Sequence, residues 1–223
     1  MLAFQREKYT AADFQRDTNV SRETMDRLSA FEAFLNERGA ITNLVARSTL
    51  PDFWRRHALD SAQLVSIAPH GITQWVDLGS GAGFPGLIVA TLIAQNPKAN
   101  VRLVEATRKK AEFLQDAADI LDVRVEIINA RIEATPAIAA DIVSARALAP
   151  LLKLTPWLKS YVDKGATALL LKGQDIASEL TETAKYWTLA HRQHPSISDP
   201  RGTILEVTGI KHEQPARTSN RYR

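Results

Sequence analysis

The 223-residue sequence contains no cysteine. That absence excludes disulfides, thiolate-ligated zinc, iron–sulfur clusters, thioredoxin-like redox chemistry and every mechanism that needs a cysteine nucleophile. Long apolar runs are also missing. Nothing approaches the roughly 20 consecutive apolar residues of a membrane helix, and the opening MLAFQREKYT puts charges where a secretory signal would need its apolar stretch. The expectation is a cytoplasmic protein without a membrane partner. Glycine and proline are few, 10 each, while 45% of residues are hydrophobic and 24% charged, which excludes a disordered chain and predicts one ordinary core. No internal repeat is visible. Charge of one sign is scarce as well: of 28 basic and 25 acidic side chains, four and one fall in the last 13 residues, so the chain through residue 210 is neutral. Its overall field is weak, and any RNA surface must come from local arginines and lysines such as Arg47, Arg55, Arg56, Lys109 and Lys110. The tail, KHEQPARTSNRYR at 211–223, has too little apolar surface to pack and reads as a mobile segment or as a phosphate-contacting arm.

What is present is a helical first part followed by alternating strands and helices. Ser21 caps a helix running to Arg38, with Met25, Leu28, Phe31 and Leu35 at steps of three and four and Gly39 as its stop. A second helix is predicted from Pro51 through Trp54, Ala58, Leu64 and Ile67 to Pro69. From Gln74 the order is strand (QWVDL), glycine loop, helix (GLIVATLIAQ), strand (VRLVE), helix (KKAEFLQDAADIL), strand (VRVEII) and strand (DIVSA). Such alternation argues a mostly parallel sheet with helices on both faces. The alternation Val123, Arg124, Val125, Glu126, Ile127 suits a sheet edge. A helix from Leu151 to Trp157, a buried strand ATALLLK and strands near WTLAH and TILEVTGI bring the total to about seven. The division expected is a helical extension at 1–70, an α/β core at 71–210 and the basic tail. Trp54, Trp75 and Trp157 read as core residues rather than base-stacking platforms.

The chemistry enters at DLGSGAGFPG, residues 77–86, between an apolar strand and an apolar helix. Glycines at 79, 81 and 83 let the backbone turn tightly and come close to a ligand. Gly81, Gly83 and Gly86 also fit the dinucleotide spacing G-x-G-x-x-G, but Asp77 before the first glycine and Pro85 at the helix junction, which removes an N–H, disfavour a pyrophosphate. Glu105, at the end of the second strand, can accept both hydroxyls of a ribose, a requirement common to NAD and S-adenosylmethionine. Alternatively it caps the helix that begins near Thr107 or pairs with a basic neighbour. Ile132 and Glu133 lie beyond the third strand and Arg146 beyond the fourth, so four strand tips should share one carboxyl edge, where open α/β sheets bind ligands.

The strings RRHALDS (Arg55 to Ser61), DLGSGAGFPG, LVEATRKKAEFL, NARIEAT, SARALAPL and LLKGQ, in this order, resemble the bacterial RsmG family, also called GidB, over roughly residues 40–210. The resemblance implies a Rossmann-like class I methyltransferase that uses S-adenosylmethionine to form 7-methylguanosine in the decoding-region loop of 16S rRNA, with the small ribosomal subunit as partner. It further implies that Gly79, Gly81 and Phe84 border the cofactor, Gly79 and Phe84 at its methionine end. Glu105 would hold the ribose, Ile132 with Glu133 the adenine, and Arg146 would reach the cofactor pocket. No metal is expected, and the protein should be a monomer.

Guanine N7 carries a free lone pair, so its methylation needs no proton removed beforehand and no general base. Catalysis then reduces to alignment and exclusion of water. The missing cysteine excludes the covalent route to carbon-5 of pyrimidines, and no Asn/Asp-Pro-Pro-aromatic loop of exocyclic-amine methyltransferases is present. No catalytic residue is assigned. Substrate-side candidates are Arg56, His57, Asp60 and Ser61, Arg146, and Lys172 with Gly173. His57 and Asp60, three apart, share a helix face and either orient a ligand or hold the helix against the sheet, the second being preferred. Lys172, at a strand end, either meets phosphate or base or faces solvent. Rival readings are an NAD-dependent oxidoreductase, a methyltransferase of small molecules or another RNA, and an RNA-binding module without a cofactor.

Overall fold

The computed structural model describes residues 8–42 and 47–213, with side chains at 39–42 and 47–48 left aside. Two helices open the chain, α1 (Ala11–Thr18) and α2 (Arg22–Thr42). Ser21 caps α2 as expected, its Oγ accepting the Thr24 N–H at 3.1 Å. Gly39 does not stop the helix, which runs on to Thr42; a glycine costs a helix only about 1 kcal/mol, and Ala40 and Ile41 sustain it.

The predicted second helix is broken into three. A 3-10 stretch at Arg47–Asp52 leads to a π-helical turn at Trp54–Leu59 and then to α3 (Asp60–Ile67). The π turn closes with the Asp60 N–H donating to the Arg55 carbonyl, and such turns gather at functional sites. From Gln74 the elements are β1 (Gln74–Leu78), α4 (Gly86–Ile93), β2 (Asn100–Val104), α5 (Arg108–Leu121), β3 (Val125–Ile128), β4 (Ile142–Arg146), α6 (Leu151–Val162), β5 (Thr167–Lys172), α7 (Ile176–Thr183), β6 (Trp187–Pro195) and β7 (Thr203–His212). A 3-10 turn at Ile132–Ala134 follows β3.

The seven strands form one sheet in the order β3-β2-β1-β4-β5-β7-β6. β1 to β5 are parallel, while β7 runs antiparallel to both β5 and β6. β3 is an edge strand, as its alternation predicted. Leu78 is level with Val104 on one side and Ala145 on the other, which puts the loops after β1, β2 and β4 side by side. Strand order reverses between β1 and β4, the switch point where a crevice opens beyond the carboxyl ends.

Successive side chains of the central strands enter two separate cores. Trp75, Leu103, Leu169 and Leu171 pack with α1 to α5, and Val76, Leu78, Val104, Leu170 and Leu205 pack with α6 and α7. The helices before the sheet thus share a core with its first face. Trp54 and Trp75 are buried and Trp157 is half-buried, consistent with packing rather than stacking on bases. β7 extends to His212, so Lys211 and His212 are strand residues paired with Thr188 and Trp187 rather than tail. The rest of the basic tail, 214–223, lies outside the described residues, as does the side chain of Arg47. Among the described residues no helix is long and apolar enough to cross a membrane.

Candidate functional site

The glycine loop is pinned before it meets any ligand. The N–H groups of Gly79 and Ser80 both donate to the Val104 carbonyl, at 2.8 and 3.1 Å, which continues the β1–β2 ladder into the loop. Beneath it lies Asp77, wholly buried. Its Oδ2 accepts the Gly86 N–H at 3.2 Å and its Oδ1 accepts the Ser144 hydroxyl at 2.7 Å, while Ser144 accepts the Trp75 indole N–H at 2.9 Å. The acid that speaks against a dinucleotide is therefore the staple that joins β1, β4 and the start of α4. Burial, opposed by bonds to Ser144 and Gly86, pushes its pKa up to about 6.

A carboxyl raised from 3.8 to about 6 gives stability that is complete below pH 3.8 and lost as the pH rises through 6, about 3 kcal/mol for this group. Asp77→Asn, whose amide mimics the protonated acid, is expected to gain stability relative to wild type between pH 4 and pH 7. Urea melts at the two pH values check this, and equal differences would contradict it.

Above the loop there is room. Gly81 has φ +58° and a Cβ there would meet only the Gly79 carbonyl oxygen, at 3.7 Å. Glu105 stands beside it, one residue past β2, with Oε2 accepting the Gly81 N–H at 3.0 Å and Oε1 the Thr107 N–H at 2.8 Å. The helix-capping alternative is thus real, yet each carboxylate oxygen keeps a lone pair for a hydroxyl. Phe84 departs from a simple lining role. Its ring is 7% exposed and turned into an aromatic cluster with Phe31, Phe53 and His57, so the loop offers a ligand mainly its backbone at that point. Ile132 is half-buried against the second core, and Glu133 is exposed on the 3-10 turn beyond β3.

Arg146 closes the set from the other side of the switch point. It is the last residue of β4 rather than one beyond it, paired in register with Leu171. The following loop carries Ala147 at φ 47°, an uncommon left-handed backbone for a residue with a Cβ. It places Leu148 against the glycine loop, where a Cβ on Gly79 would come within 2.5 Å of Leu148 Cδ1. Lys172 holds this loop: Nζ donates to Glu179 at 2.7 Å and to the Ala149 carbonyl at 3.1 Å, and Glu179 also accepts the Leu151 N–H. With its side chain 8% exposed, Lys172 does not face solvent, and its ammonium is engaged within the protein.

Next to this edge opens a cleft of about 880 Å³, lined among others by Arg55, Arg56, Asp60, Arg146, Lys172 and Arg201. Gly173 is an exposed part of its wall. Most of its cations have partners: Arg146 faces Asp60 at 3.5 Å, Arg201 faces Asp199 at 3.5 Å, and Arg55 lies 4.8 Å over the Tyr9 ring. Arg56 is exposed and forms no ion pair among the described residues. Lys109 and Lys110 lie in the first turn of α5, with Lys109 exposed. The far wall is the β6–β7 turn, fastened to the start of α3 by Ser198 Oγ donating to Asp60 Oδ1 at 2.6 Å and by the Ile197 N–H donating to Gln63 Oε1 at 3.0 Å. Ser61 takes no part in the cleft: it is buried, its hydroxyl donating to the His57 carbonyl at 2.7 Å.

Sequence reasoning missed Ser198, Gln63, Glu179 and Leu148. Only Gln63 left a trace, as a polar residue on the apolar side of a helix.

The comparisons point one way. The family model described as rRNA small subunit methyltransferase G matches residues 24–204. A ribosomal RNA small subunit methyltransferase G of Caulobacter sp. (strain K31) is 48% identical over 198 residues, covering 89% of each chain. The protein of the same name from Parvibaculum lavamentivorans is 44% identical over 199 residues, covering 88% of each. Among solved structures, that of a mutant MtNAS in complex with S-adenosylmethionine superposes with a TM-score of 0.54 at 14% identity, over 89% of this chain and 83% of that one, a likeness of fold.

Proposed function

The chain belongs to the rRNA small subunit methyltransferase G family, and from that premise we propose that it transfers the methyl group of S-adenosylmethionine to N7 of a guanosine in the decoding-region loop of 16S rRNA. The observation that carries the reading is the juxtaposition, at one switch point, of the open glycine loop, the Glu105 carboxylate and Arg146, with a cation-bearing cleft alongside.

The residues present fit a nucleoside-bearing cofactor. Gly81 leaves backbone-close space, Glu105 retains two lone pairs for ribose hydroxyls, Ile132 offers an apolar surface for a base, and Arg146 supplies a cation at the other end. When bound, S-adenosylmethionine supplies an electrophilic methyl on a sulfonium. This chain's residues hold, orient and exclude water. Guanine N7 attacks with its own lone pair, so no side chain has to accept a proton, and the cleft's groups suit that role. His57, pushed down to about 3 by burial and by the charges of Arg146 and Arg56, stays neutral. Asp60, raised by burial and held against that by Arg146 and Ser198, is already bonded. Rate enhancement then comes from proximity and in-line orientation.

The test is calorimetry with S-adenosylhomocysteine and, separately, NAD, followed by methyl transfer from labelled S-adenosylmethionine to small ribosomal subunits. Binding of the first nucleoside together with labelled rRNA is the expected result. Binding of NAD alone would overturn the cofactor, and label only in a soluble metabolite would overturn the substrate. Arg56, exposed in the lining of the cleft and in no ion pair among the described residues, should contact phosphate. Arg56→Ala is expected to weaken RNA binding several-fold and to reduce the salt dependence by about one unit of log–log slope. An unchanged slope in fluorescence titrations would contradict that placement.

A further inference from the structure

Arg146 is held from two sides by a segment some 90 residues earlier in the chain. Its Nη2 lies 3.1 Å from His57 Nδ1, and its Nε lies 3.5 Å from Asp60 Oδ2. A guanidinium has donors and no acceptor. His57 Nδ1 must therefore be the acceptor, and the single proton of the neutral ring must sit on Nε2, which is 3.1 Å from Thr49 Oγ1. The ring has no freedom to turn away: it is 3% exposed and stacks on Phe84 with centroids 4.6 Å apart and planes 25° apart. The guanidinium itself lies 5.6 Å over the same Phe84 ring.

Asp60 is fixed in turn by the Ser198 hydroxyl at 2.6 Å and by Gln63 Nε2 at 3.1 Å. One part of Arg146 is left over. Its Nη1 is buried and has no hydrogen-bond partner among the described residues, which a charged donor tolerates badly unless an acceptor arrives from outside.

We propose that His57, protonated on Nε2 and accepting from Arg146, forms with Asp60 a two-point clamp that aims the spare Nη1 of Arg146 at its ligand. His57 is then a positioning residue rather than a base, and its packing on Phe84 holds the ring in place. Burial keeps the imidazole uncharged, so the bond persists over the whole range of physiological pH. The inference rests on Arg146 serving the cofactor.

Two substitutions in the full-length protein separate the clamp from packing. Asn at position 57 can present Oδ1 where Nδ1 stands, whereas Phe keeps a ring on Phe84 and offers no acceptor. Calorimetry with S-adenosylhomocysteine is expected to show His57→Phe weakened by about tenfold or more, with the KM for S-adenosylmethionine rising in step, and His57→Asn within about threefold of wild type. Equal affinity in His57→Phe and wild type, or an Asn variant as impaired as the Phe variant, would overturn the proposal. Nitrogen-15 spectra of the wild-type ring give an independent readout, with Nε2 protonated and Nδ1 bare expected. A proton on Nδ1 would overturn the clamp even where His57→Phe fails to fold. If wild type binds no S-adenosylhomocysteine, the cofactor reading falls, and the tautomer still decides the clamp.

Discussion

Gly86→Ala is expected to lose about 3 kcal/mol of stability, the upper end for overpacking, and with it the geometry of the glycine loop. A Cβ at that position would stand 2.3 Å from Leu103 Cδ2 and 2.8 Å from Asp77 Oδ2. Neither neighbour can yield cheaply. Leu103 is fully buried in the first core, and Asp77 is tied to Ser144 and to the Gly86 N–H itself. The methyl group would push α4 away from β1 and β2 and break the bond that staples the loop. In a domain of this size the loss corresponds to a fall in melting temperature of roughly 6–12 °C. Gly173→Ala is the matched control, because a Cβ there meets nothing within 4 Å. Thermal melts showing both variants within about 1 °C of wild type would contradict this account of the loop.

Glu105→Ala should act on binding more than on folding. It removes the acceptor for the Gly81 and Thr107 N–H groups and, in the proposed function, for both ribose hydroxyls. Bonds to a charged group contribute about 1.5–3 kcal/mol each, so the affinity for S-adenosylhomocysteine should fall about 100-fold or more. The fold should lose less. Thr107 is exposed and Gly81 half-exposed, so water can take over both backbone donors. Calorimetry beside a thermal melt separates the two effects. A destabilised variant with unchanged affinity would reduce Glu105 to a helix cap.

Much of this site is legible in the linear chain because its parts are local. The apolar strand QWVDL followed by closely spaced glycines fixes a strand-to-helix turn, and the polar alternation around Arg124 and Glu126 marks the edge strand β3. Elements with a thin apolar face escape such reading. Of α1 only Phe14 is buried, and α7 buries only Ile176 and Thr183, so neither shows a readable helical stripe. β6 is also mostly exposed, and of its nine residues only the stretch WTLAH reads as a strand.

The contacts that shape the cleft were invisible for a different reason. Ser198 and Asp60 are 138 residues apart, and Arg146 and His57 are 89 apart. No local pattern records that a serine in one turn will hold a carboxylate in another. Lys172 shows the same limit. A lysine at a strand end suits either solvent or phosphate, and Glu179, seven residues on, becomes its partner only once α7 folds back over β5. In the sequence Asp77 speaks only against a dinucleotide, whereas its work as a buried staple depends on Ser144, a residue of another strand.

The most direct test of the central claim is made on ribosomal RNA from cells with and without this protein. N7 methylation leaves guanosine sensitive to borohydride reduction and aniline cleavage, and primer extension then locates each cut in 16S rRNA. The account predicts one cut in the decoding-region loop that is present with the protein, absent without it, and restored by wild type but not by Glu105→Ala. An identical cleavage pattern in both strains would contradict it.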